Sequence, residues 1–105
     1  MLRIFHVSLE LIRDVRPLVD AIERRDPDLA RQCRRALNSV PLNIAEGSKS
    51  QGRNRNARYH NAAGSAREGL ACLEVAVAWG HVDAIDPGIR NRFDHVLGTL
   101  VRVIG

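Results

Sequence analysis

Residues 26–47 read DPDLARQCRRALNSVPLNIAEG, and the reading of this stretch decides the fold. Leu29, Cys33, Ala36, Leu37, Val40 and Ile44 recur at steps of three and four, which places them on one face of a helix. Arg31, Arg34, Arg35 and Asn38 fall mostly off that face. Asp26 can cap the helix, Pro27 suits its first position, and Asp28 complements the dipole of the first turn. Pro41 lies inside the span and predicts a bend, because proline removes one backbone donor. Gly47 reads as the stop.

The pattern repeats on both sides. Phe5, Ile12, Val15, Val19 and Ile22 form an apolar stripe from about Leu2 to Arg24, widened by Ile4, Leu11 and Leu18. Pro17 interrupts it and predicts a kink or local break. Tyr59, Ala62, Ala63, Ala66, Leu70, Leu73 and Val77 mark a third helix from about Arg55 to Trp79, which Gly80 ends. Gly64, Ser65 and Gly69 are small enough for a neighbouring helix to come close, while Cys72, Val75, Ala76 and Trp79 add a second apolar strip. A helix apolar on two sides needs two sets of neighbours, and one set can be another subunit. Asp86-Pro87 repeats the cap-and-proline start, and Ile89, Phe93, Val96, Leu97, Leu100 and Ile104 give a fourth helix. No segment alternates with period two over a useful length. The expectation is an all-α, antiparallel up-down four-helix bundle filling residues 1–105 as a single domain.

Composition agrees. With 45% apolar residues the chain can build a core, and with only 4% aromatics aliphatic side chains and alanine must fill it. Glu10, Arg13 and Asp14 break the apolar residues near the N-terminus, and no run approaches the roughly 20 residues a membrane-spanning helix needs. The expected location is cytoplasmic, with no membrane partner. Cys33 and Cys72 lack CxxC spacing and read as small core side chains in a reducing compartment.

The net charge of +4 is unevenly placed: residues 1–30 carry −1, residues 31–67 carry +7 and residues 68–105 carry −2. Such an asymmetry bears on partners rather than on fold. The segment Gly47–Asn56, GSKSQGRNRN, is polar and without periodicity, and reads as an exposed, mobile turn. Lys49, Arg53, Arg55 and Arg58 offer phosphate donors there, Asn54 and Asn56 can bond bases or sugars, and Tyr59 and His60 can stack on bases. Arg34 and Arg35 can extend the field along the second helix. The competing reading is a solvated turn that only keeps the protein soluble. Glu46, the only acid of the basic stretch, reads as an ion-pair or backbone partner at the helix end rather than as a general base. His6, His60, His81 and His95 form no HxxxH or HExxH pair, so neither metal nor cofactor is expected. The serines lack a nucleophile-elbow context, and no enzyme or small-molecule substrate is expected.

The run Gln32–Gly47 resembles the four-helix-bundle family of proteins encoded in intervening sequences of bacterial large-subunit ribosomal RNA genes. Arg34-Arg35-Ala36, then Ser39-Val40-Pro41, then Asn43-Ile44-Ala45-Glu46-Gly47 follow its pattern. Ala62-Ala63-Gly64-Ser65-Ala66-Arg67-Glu68 fits its second motif. The resemblance implies a ring-shaped homo-oligomer, commonly a pentamer. It also implies kinship with the accessory variability determinants of diversity-generating retroelements, which bind nucleic acid and a reverse transcriptase. It further implies that Asn43, Glu46 and Ser65 hold helices two and three together, with Glu68 as a further partner for Asn43 and Ser65. The function expected is that of a non-catalytic, basic, nucleic-acid-binding accessory factor. The alternative is a protein-interaction scaffold, such as a reverse-transcriptase subunit.

Overall fold

The computed structural model describes residues 2–104, apart from the Leu2 side chain. It consists of four helices: α1 (Leu2–Glu23), α2 (Pro27–Lys49), α3 (Gly52–Trp79) and α4 (Pro87–Ile104). No strand occurs among the described residues. Each helix packs along its sequence neighbours, and α1 closes the ring against α4. Cross-helix contacts fix the directions. Arg34 near the start of α2 meets Asp20 near the end of α1, Ser65 meets Ser39, and Arg90 meets Glu74. The arrangement is that of an up-and-down bundle, 42 Å in its longest dimension.

The start signals work as their chemistry requires. Asp26 accepts the Leu29 amide at 3.0 Å with Pro27 in the first turn, and Asp86 accepts the Gly88 amide at 3.0 Å beside Pro87. Gly80 ends α3 in the left-handed region at φ 77°, which glycine reaches without steric cost. Asp26 also stands 3.4 Å from His81, which joins the α1–α2 turn to the segment after α3.

Three expectations change. The break at Pro17 does not occur, for α1 and α2 run unbroken through Pro17 and Pro41. Each proline only withholds a donor from one carbonyl four residues back. The inward stripe of α1 is Ile4, Val7, Leu11, Val15, Val19 and Ile22, while Phe5, Ile12 and Leu18 are half-buried flanks. The third change is the largest. The mobile turn shrinks to Ser50 and Gln51, with helix on both sides. Gly47 does not stop α2, because the hydroxyls of Ser48 and Ser50 take the carbonyls of Ala45 and Glu46 at 2.7 and 3.0 Å. Those bonds satisfy end groups that the helix leaves open. Gly52, at φ 58°, makes the reversal into α3.

Gly47 is instead a packing position. A Cβ there would lie 2.5 Å from Cε1 of the buried Tyr59 ring, and one at Gly69 would lie 2.9 Å from Cδ2 of Leu37. The two glycines let α2 and α3 approach closely. Gly64, expected to do the same, is exposed and faces open space.

Candidate nucleic-acid interface

The antiparallel arrangement gathers charge at one end of the bundle. The start of α1, the α2–α3 turn and the end of α4 share that end, bringing Arg3, Lys49, Arg53, Arg55 and Arg102 to it. The opposite end carries Asp20, Glu23, Asp26, Asp28, Asp83 and Asp86, mixed with Arg24, Arg25 and Arg31.

The six expected phosphate contacts do not form one patch. Arg34 is engaged elsewhere: it pairs with Glu23 and with Asp20, the latter at 3.2 Å, and so ties α2 to α1. Arg35 and Arg58 line one groove between α2 and α3, about 400 Å³ in volume, together with Asn43 and Glu46. Lys49 and Arg53 stand exposed at the tip. Arg55 lines a different cleft, shared with α1 and α4, and its guanidinium lies 5.4 Å from the centre of the Tyr59 ring. Tyr59 is only 3% exposed, so the expected stacking of bases on it is not available. His60 remains exposed.

The motif residues divide in a similar way. Asn43 donates to the Ser39 carbonyl at 2.9 Å and to Ser39 Oγ at 2.8 Å, and Ser65 Oγ lies 2.7 Å from the same Ser39 Oγ. Arg58 donates to Asn43 Oδ1 at 3.5 Å, the long limit of such a bond. Ser39 is therefore the centre that links α2 to α3. Sequence reasoning placed it in the motif without giving it this role; its hydroxyl, one turn before Asn43, was the signal. Glu46 is exposed and makes no ion pair within 4.0 Å among the described residues, contrary to expectation. Its backbone carbonyl accepts from the Ser50 hydroxyl at 3.0 Å. Glu68 lies beside Ser65 and Ser39 in a second α2–α3 groove without a hydrogen bond to either.

Residues that composition could not single out contribute as well. Arg3 and Arg102 sit far from the basic middle in sequence, yet the fold sets them beside Arg55. His95 and Thr99 of α4 line the same cleft. Among the described residues no group of three His, Cys, Asp or Glu side chains could hold a metal. No described helix is long and apolar enough to cross a membrane.

The family model of the 23S rRNA-intervening sequence proteins matches residues 1–98, which span all of α1 to α3 and the first two-thirds of α4. This chain belongs to that family. No curated protein and no solved structure matches it. Both motifs quoted above lie inside the part shared with the 23S rRNA-intervening sequence proteins, as do all six candidate phosphate contacts and the Asn43–Ser39–Ser65 link. Arg102 and Val103 lie beyond it.

Proposed function

We propose that the protein is a non-catalytic, cytoplasmic accessory factor that assembles into a homo-oligomeric ring, commonly a pentamer in proteins it resembles, and binds nucleic acid through its phosphates. One observation carries this reading: Lys49 and Arg53 at the tip, and Arg58 and Arg35 along the groove between α2 and α3, have no carboxylate within 4.0 Å among the described residues. Unneutralised guanidiniums on a helical scaffold suit phosphodiester oxygens, and repetition around a ring multiplies a modest patch. Arg34 has a structural part in this reading, tying α1 to α2.

RNA binding measured by fluorescence anisotropy across a salt series tests the proposal. Affinity should fall steeply with salt, with a log–log slope of about −0.7 per neutralised phosphate on single strands. Arg53→Gln and Arg58→Gln should each make that slope shallower by roughly one such unit. A salt-independent affinity, or no binding at low salt, overturns it.

A second reading has its own support. Trp79 is 72% exposed and Val75 44%, one turn apart on the outer strip of α3. Adjoining large apolar side chains left on the surface suit a protein interface. In the first reading α3 supplies the subunit contact. In the second the surface receives a different protein, such as a reverse transcriptase, and the basic end meets an acidic partner. Sedimentation of Val75→Glu separates the two: loss of the oligomer places the strip between copies.

A further inference from the structure

Arg3 of α1, Arg55 of α3 and Arg102 of α4 line a single cleft of about 320 Å³, with His95 and Thr99 beside them. No Asp or Glu lines it. None of the three arginines takes part in an ion pair among the described residues, although Arg16, Arg31, Arg34, Arg90 and Arg92 all do. Like charges gathered in one concavity repel each other, and the repulsion grows as protein replaces water around them. An entering anion relieves it.

Two of the three guanidiniums are already held. Arg102 Nη2 donates to Thr99 Oγ1 at 3.2 Å, and Arg55 is placed by the face of the buried Tyr59 ring. Groups fixed before binding lose less freedom when the ligand arrives.

We propose that this cleft binds a terminal phosphate group. A phosphate monoester carries a charge of about −1.5 to −2 and three acceptor oxygens, which suits a cleft lined by one arginine from each of three helices. An internal phosphodiester carries one charge and continues in both directions, so it lies along a ridge better than it enters a cleft. The Thr99 hydroxyl and the His95 imidazole add shorter-range partners. The proposal rests on the nucleic-acid reading only for the carrier, taken as the phosphorylated end of an RNA strand. The site itself does not depend on that reading.

Two measurements on the full chain test it. The first is an NMR titration with inorganic phosphate that follows the arginine Nε–Hε signals. Arg3, Arg55 and Arg102 should shift together, while Arg25 at the far end stays still. The second compares anisotropy for one short RNA with a 5′-phosphate or a 5′-hydroxyl, and for a nucleoside 5′-monophosphate. The phosphorylated RNA should bind roughly tenfold or more tightly than the hydroxyl form, the scale of one charge-assisted contact set. Arg3→Gln and Arg102→Gln should each abolish that preference, Arg102→Lys should restore part of it, and Arg25→Gln should preserve it. Phosphate shifts with no binding of either RNA would support the site and defeat the nucleic-acid reading. Equal affinity for the two RNA ends, with no shift on phosphate addition, overturns the proposal.

Discussion

Gly47 and Gly64 both belong to family-like motifs on adjoining helices, yet they answer to different constraints. A Cβ at position 47 would press 2.5 and 2.7 Å from two atoms of the buried Tyr59 ring, which cannot swing aside. Gly47→Ala should therefore destabilise the protein by about 1–3 kcal/mol from overpacking, less the helix propensity it gains. At Gly64 a Cβ meets nothing within 4 Å, so Gly64→Ala should raise stability by about 0.5–1 kcal/mol. Urea melts of the two variants check both signs. Cys33 presents another residue-scale consequence. Burial, reinforced by the neighbouring Cys72, pushes its thiol up to about 12 from an ordinary 9.0, and burial raises Cys72 as well. Folding favours the neutral thiols, so their contribution is complete below pH 9.0 and is lost as pH rises toward about 12. Stability should fall over that window, and less so in Cys33→Ala. At neutral pH, labelling by a disulfide reagent should proceed only as fast as the protein opens.

At the level of elements, α2 and α3 are joined differently from the other pairs. Arg34–Asp20 spans α1 and α2, Arg90–Glu74 spans α3 and α4, and Arg92–Asp14 spans α1 and α4, all as charge pairs. Between α2 and α3 the short bonds come from the neutral set Asn43, Ser39 and Ser65, with Arg58 reaching Asn43 only at 3.5 Å and no ion pair across the two among the described residues. Ser39→Ala leaves both partners short of a bond in a half-buried place and should cost about 1 kcal/mol or more. Asn43→Ala should also lower Tm, while Glu46→Ala, at an exposed and unpaired side chain, should leave it unchanged. The helices themselves were legible because apolar spacing and Asp-Pro starts act locally. The stripes of α2 and α4 could be read directly from the sequence. The far end of α2 was not legible. Gly47 has the chemistry of a helix stop, and only the Tyr59 ring across the interface explains why glycine stands there inside a helix. For the same reason the basic residues read as one patch along the chain. Arg55 and Arg58 lie one turn apart on α3, yet Arg55 lines the cleft shared with α1 and α4 while Arg58 lines the groove along α2, and linear proximity does not carry that information.

For the molecule as a whole, charge is sorted along the long axis of the bundle. Arg3, Arg55 and Arg102 are remote in sequence and line one cleft, because the alternation of helix direction brings the start of α1, the α2–α3 turn and the end of α4 together. Raising salt should weaken RNA binding while changing thermal stability little, since the interhelical ion pairs are largely exposed and contribute modestly. Parallel salt series of Tm and of affinity check the separation. The two-residue connection between α2 and α3 has a calorimetric consequence. Lys49 and Arg53 ride on helix, so their charges are held at settled spacings before any polyanion arrives. Association should then lack the strongly negative entropy and large negative heat-capacity change of a segment that folds upon its target. Its heat signature should be that of counterions leaving a preformed surface.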